Sequence, residues 1–325
     1  MNDSSSNSTQ TVWCPYLGSD VALSDCNREH IIPLSLGGSN QFTVPVSRAA
    51  NSTIGSSVDA ALSDKDFFVL QRRREYDARG HNNKEPIVRM RNASYGNLGE
   101  LDAKGDEVRR PAQVTFKGKD GMTVWDARDR RELTDSDLSD KQIQVKFAID
   151  VFSRMRFVAK VALSAGYEIY GDLFRRTADH NSLRGVMNAR DMKTAAEVLK
   201  SSQLRGCFEF LPVDEASALT TEAVIKVLST VSGSIVWTGL SDSSIVFNVG
   251  ILGTWIGSIN VPAETTAYPL MDLHDLGHAV LLVNGQTERI SARTLIGRAL
   301  NFPPGSSSPQ SPVPQNDIPS ESSEG

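Results

Sequence analysis

Glu29-His30-Ile31-Ile32-Pro33-Leu34-Ser35-Leu36-Gly37-Gly38-Ser39-Asn40, followed by Arg48-Ala49-Ala50-Asn51, is the stretch whose reading decides the fold. Hydrolysis of a phosphodiester needs a base that takes a proton from water and a divalent cation that offsets charge on the phosphate and the leaving oxygen. Glu29 and His30 are adjacent candidates. Neighbours on an extended strand point to opposite faces, so both can serve one centre only where the strand bends or ends. Pro33 after Ile31-Ile32 suits a strand giving way to a loop. Gly37-Gly38 permits a tight turn. Beyond the turn, the Asn40 amide is placed to hold the loop or the histidine backbone. Asn51, on the helix expected to follow, offers a neutral oxygen to a hard cation. A strand, strand, helix unit would bring all four together.

Glu29-His30-Ile31-Ile32-Pro33, Leu36-Gly37-Gly38, Asn40 and Asn51 resemble the HNH endonuclease family, the ββα-metal nucleases. The resemblance implies His30 as the general base, Glu29 as the acidic metal ligand beside it, Asn40 as the asparagine that positions the histidine, and Asn51 as the final metal ligand. It implies a single divalent ion, Mg²⁺ or, in its place, Mn²⁺ or Ni²⁺. Ser56-Ser57-Val58-Asp59 also resembles the continuation of this subtype. Many relatives frame the site with two CxxC pairs that hold a structural zinc. Here Cys14 stands at the first of those places and Leu17, Ser47 and Ala50 at the others, so structural zinc is not expected. Packing of Trp13, Tyr16, Leu23, Ile31, Ile32, Leu36, Phe42 and Val46, with docking on the rest of the chain, has to hold the unit instead.

At 325 residues the chain exceeds the usual single-domain size, which predicts two folded units with their own cores. The fold class expected is α+β, an N-terminal ββα (HNH) unit followed by a larger α+β domain with antiparallel strands. The expected divisions are a disordered tail over 1–11, the HNH domain over 12–80, a small antiparallel β connector over 81–145, an α+β domain over 146–302, and a second disordered tail over 303–325. The tails are rich in Ser, Pro, Asn and Gln and hold too few apolar residues to offset the entropy of ordering. Helices are predicted over Arg48 to Leu62 and, with Ser63 as N-cap, over Asp64 to Arg79. Short alternating stretches at Ile87 to Arg91, Val108 to Phe116 and Met122 to Trp125 predict a small antiparallel sheet. Apolar residues at helical spacing predict a helix over Lys146 to Ala165 stopped by Gly166. Ser234 to Leu240, Ser244 to Leu252 and Thr254 to Val261 read as strands joined by short turns, and Ala279 to Val283 with Asn284-Gly285 opens a hairpin.

The net charge of -5 does not announce a nucleic-acid binder. Between Phe67 and Arg91, however, seven basic residues face three acidic ones, which makes Arg72, Arg73, Arg74 and Arg79, with Arg48, the candidate phosphate contacts. Lys146, Arg154, Arg156 and Lys160 fall on the polar side of the strongest helix, where contact with nucleic acid and a solvated face explain them equally well. Three cysteines without a CxxC pair argue against a disulfide framework. No apolar run suits a membrane span and the N-terminus does not read as a secretory signal, so a cytoplasmic location is expected. His274 and His278 are four apart but read as loop before strand, and His81 and His180 read as isolated. Trp125, Trp237 and Trp255 read as core or sheet-face residues.

The function expected is metal-dependent hydrolysis of DNA, with RNA as an alternative substrate that uses the same residues. A homodimer is one way for a single centre per chain to cut both strands. The other alternative is an HNH fold without turnover that serves as a nucleic-acid-binding or sensor protein, with the larger domain recognising the effector.

Overall fold

The computed structural model describes residues 10–79, 83, 85–147, 149–207, 215–268 and 277–301. Both expected tails lie outside these residues, except that Gln10 and Thr11 are described and Thr11 already opens the first strand. His81 and His274 also lie outside them.

Strands β1 (Thr11–Cys14) and β2 (Ser19–Ala22) form a hairpin. Next come β3 (Cys26–His30) and β4 (Thr43–Ser47), antiparallel, with Glu29 opposite Val44 and His30 opposite Thr43. Helix α1 (Arg48–Ile54) continues through a π-helical turn at Gly55–Asp59 into α2 (Ala60–Lys65) and then α3 (Phe67–Glu75). The expected cap at Ser63 is corrected to Asp66, whose carboxylate accepts from the Val69 amide at 3.1 Å. An N-cap needs extended backbone and a short acceptor, and Asp66 has both, with φ -73° and ψ 118°.

A five-stranded antiparallel sheet follows, made of β5 (Ile87–Asn97), β6 (Arg110–Lys117), β7 (Gly121–Asp126), β8 (Arg131–Glu132) and, after the short α4 (Asp135–Leu138), β9 (Lys141–Val145). Its order is β8-β7-β6-β5-β9, and it buries a small core of its own around Tyr95, Val114 and Val124. The three stretches predicted to alternate form its centre, while Trp125 is exposed on β7.

Helix α5 (Val151–Tyr170) begins where Asp150 accepts from the Ser153 amide, and it runs past Gly166 to Gly171, whose φ of 58° ends it. Gly166 is thus not a stop. A Cβ there would lie 2.4 Å from the Phe174 ring, so this glycine permits close packing of the next helix. Helices α6 (Asp172–Thr177), α7 (His180–Met187) and α8 (Met192–Ser201) follow, then β10 (Arg205–Cys207) and α9 (Glu215–Ser229). Strands β11 (Ser234–Ser241), β12 (Ser244–Ile251), β13 (Thr254–Pro262), β14 (Gly277–Val283) and β15 (Gln286–Ser291) precede α10 (Ala292–Asn301). With β10 they form one antiparallel sheet, in the order β10-β13-β12-β11-β14-β15. Asn284 and Gly285 close the last hairpin with φ 52° and 76°, as a two-residue turn requires. The fold is α+β. Among the described residues no helix is long and apolar enough to cross a membrane.

The largest buried cluster ignores the expected boundary near residue 80. It takes Ile31, Ile32, Leu36, Phe42 and Leu62 from the ββα unit, Met155, Phe157 and Val161 from α5, and Phe247 and Ile251 from the large sheet. Helix α5 touches β4 on one side and β12 and β13 on the other. Burial against both makes it the common wall of the two segments.

Candidate active site

Strand β3 ends at His30, the place where the sequence requires it to end. Ile31 and Ile32 turn fully into the core and Pro33 leads a single 3₁₀ turn over Leu34–Leu36. Two glycines make the reversal possible. Gly37 sits at φ 77°, while a Cβ on Gly38 would fall 1.8 Å from the Ile32 carbonyl oxygen. The chain then returns so that Asn40 Oδ1 lies 2.8 Å from His30 Nε2. An amide oxygen accepts only, so the neutral imidazole carries its proton on Nε2 and its lone pair on Nδ1.

The large sheet holds this loop from outside. Ser39 donates to the Gly285 carbonyl at 2.8 Å, and Gln41 Oε1 accepts from the Thr287 amide at 3.2 Å, both on the β14–β15 hairpin. Ser234 at the start of β11 donates to the Leu36 carbonyl and accepts from the Leu252 amide.

Glu29 points elsewhere. Its Oε1 is 3.1 Å from Lys160 Nζ, and the same ammonium reaches the carbonyls of His30 at 3.1 Å and Ile31 at 3.2 Å and Asp59 Oδ2 at 3.2 Å. Lys160 is completely buried. Four acceptors around three N–H bonds supply what a buried ammonium needs. Burial alone would lower its pKa, but Asp59, Tyr16 and Glu29 outweigh that and hold it above the ordinary lysine range. Burial raises Asp59 to about 6, helped by Glu29 and opposed by Lys160. Tyr16, also driven upward by burial, closes the cluster with Ser164 at 3.3 Å.

Among the residues singled out from sequence, then, His30 and Asn40 are brought together, while Glu29 joins Asp59 and Lys160. Asn51 lies half-buried on α1, which packs on β3 and β4, and among the described residues its side chain makes no hydrogen bond. Asp59 and Lys160 were missed as site residues. The likeness of Ser56 to Asp59 to the family's continuation was a signal for the first. Nothing in the local sequence marks the second, which comes from a helix 130 residues downstream of His30.

The basic residues need the largest correction. Arg48 is bound to the carbonyls of Cys26 and Ser24. Arg73 is buried, donating to the Ser63 carbonyl at 2.8 Å, and so is withdrawn from any phosphate. Arg72 holds the Leu252 carbonyl and Glu75, Arg74 lies over the Phe116 ring, and Arg79 pairs with Asp77. These arginines do not form a free strip. On α5, Arg154 is fully buried against Asp66 at 2.7 Å and Arg156 reaches the Met187 carbonyl at 2.8 Å, so the charged side of that helix is not solvated. His180 is not isolated either; it packs on Trp13 and Arg184.

Of the four places compared with zinc-binding cysteines, Cys14 and Ser47 meet, the Cys14 Sγ accepting from the Ser47 amide at 3.3 Å. For a divalent ion, the Glu29 carboxylate and the Asn51 amide are hard oxygen donors of the right chemistry. Asp59 Oδ1 beside Glu29 is buried without a hydrogen-bond partner, so the cluster offers more acceptor capacity than the protein's own donors use. Among the described residues no group of three or more His, Cys, Asp or Glu is assembled, and an ion held by two protein oxygens would keep most of its waters. Comparison of the chain with protein-family models, with curated proteins and with solved structures gives no match.

Proposed function

We propose that the protein is a metal-dependent endonuclease of the HNH type that hydrolyses phosphodiester bonds in DNA. The observation that carries the reading is the His30 to Asn40 contact at the end of the first strand of a ββα unit. His30 Nδ1 accepts a proton from the attacking water, and Asn40 keeps the ring in that tautomer by accepting a hydrogen bond from Nε2–H. Glu29 and Asn51 would hold the ion. When bound, it supplies the positive charge that offsets the phosphate and the leaving oxygen. Lys160 fixes the carboxylate of Glu29 and the carbonyls on either side of the strand end, so the base and the ligand keep their relative place.

Supercoiled plasmid incubated with the protein in Mg²⁺, Mn²⁺ or EDTA tests this. Cutting should require metal and should fall about 10²–10⁴-fold in His30→Ala. Nicking that persists unchanged in His30→Ala would remove the base from that role. Salt-dependent binding with no cutting in any metal would favour a sensor built on the same fold.

A further inference from the structure

A groove of about 800 Å³ opens between the α2–α3 corner and the face of β5. Lys65, Arg89, Arg91 and Lys146 line it, all exposed, and among the described residues none of their side chains makes an ion pair or hydrogen bond. Among the described residues, Asp64 and Glu85 are the only carboxylates in the lining. Asp64 is already engaged by Arg73 at 3.3 Å. Unpaired cations gathered along one concavity attract a chain of negative charges and release its counterions.

The same wall carries aromatic rings. Phe147 is 45% exposed, and its ring stacks on Phe67 at 4.4 Å with an interplanar angle of 18° while meeting Phe68 edge-on at 5.4 Å. A large apolar ring held in a fixed plane beside four cations is the combination that takes a nucleobase and its phosphates together. A duplex keeps its base faces inside the stack, so only an unpaired base can use the ring. The groove also connects to the site, because α3 packs against β5 on one side and against the Leu34–Leu36 turn that follows His30 on the other.

We propose that this groove binds a single-stranded segment of nucleic acid, with Phe147 stacking on a base and Lys65, Arg89, Arg91 and Lys146 holding the backbone. The identity of the polyanion rests on the nuclease reading; the strandedness rests on the rings.

Fluorescence anisotropy of the full-length His30→Ala protein in EDTA, with labelled single-stranded DNA, single-stranded RNA and duplex DNA, tests it without cleavage. Single strands should bind more tightly than duplex. Arg89→Gln with Arg91→Gln should weaken them roughly tenfold and lower the salt slope by about 0.7 for each cation lost. Phe147→Ala should weaken single-strand binding by roughly tenfold while leaving duplex binding nearly unchanged. Preference for RNA over DNA, or the reverse, would name the source of the strand. Equal binding by the groove variants, tighter binding of duplex, or no binding at all would overturn the proposal. Binding through the groove by a protein that cuts nothing would overturn the nuclease reading alone, whereas cutting by a protein whose groove variants bind normally would overturn the groove alone.

Discussion

Two sets of cations distinguish two regions of this molecule. On α5, Arg154 and Lys160 are wholly buried, one held by Asp66 and the other by Glu29 and Asp59. Around the groove at β5, Lys65, Arg89, Arg91 and Lys146 stand exposed with no ion pair among the described residues. Sequence spacing puts Lys146, Arg154 and Lys160 in one class, the polar side of a helix. The structure separates them: the helix starts at Val151 and not at the expected Lys146, which follows β9 and is exposed, whereas Arg154 and Lys160 lie on α5 under other elements. A covered cation has to be neutralised by carboxylates and carbonyls, which fixes the elements that supply them. An uncovered one keeps its charge for a ligand. The α5 cations therefore tie distant segments together, while the cations around the groove stay exposed.

That contrast can be broken most forcefully at Lys160. Lys160→Met leaves buried Asp59 and half-buried Glu29 without their counter-charge and should cost about 3–5 kcal/mol in urea unfolding. A loss under about 1 kcal/mol would mean that the cluster is hydrated and contributes little. A different lever on α5 is Gly166→Ala, which presses a methyl group into the Phe174 ring. We expect about 1–3 kcal/mol of destabilisation, and an unchanged unfolding midpoint would show that the ring moves freely.

The pH dependence of the same cluster has a definite sign. Asp59 is raised from its ordinary 3.8 to about 6 in the fold, so its protonated form contributes stability fully below 3.8 and loses it as pH rises through about 6. Across that window the wild type should lose stability relative to Asp59→Asn in parallel thermal melts. Parallel curves from the two proteins would place the titration elsewhere. The smallest effect belongs to the exposed segment after α3. Arg79→Ala breaks only a surface pair with Asp77 and should leave the unfolding midpoint unchanged. It should also leave nucleic-acid affinity alone, and a tenfold weaker binding constant in that variant would restore Arg79 to the phosphate contacts.

Local chemistry was legible in the sequence. The end of β3 at His30, the turn at Gly37-Gly38, the approach of Asn40 to the histidine and the Asn284-Gly285 hairpin each depend on a few adjacent residues with restricted backbone preferences. Non-local chemistry was not. Periodicity marks Lys160 and Arg154 as polar positions but carries no information about Glu29 or Asp66, their partners on distant segments. Gly166 was misread for the same reason, since a helix glycine that admits a neighbouring ring and one that ends a helix look alike until the neighbour is known. The arginines after Phe67 were misread because local charge density does not reveal which guanidinium turns inward, as Arg73 does.

The loop that carries Asn40 is fastened through Ser39 to Gly285, 246 positions further along the chain. Synthesis runs from the N-terminus to the C-terminus, so the histidine and asparagine are made well before the clasp that holds their loop. Until the β14–β15 hairpin has been translated, Ser39 has no such acceptor and Gln41 no such donor. The order of synthesis thus delays fastening of the Asn40 loop until the β14–β15 hairpin, 246 positions further on, has been made.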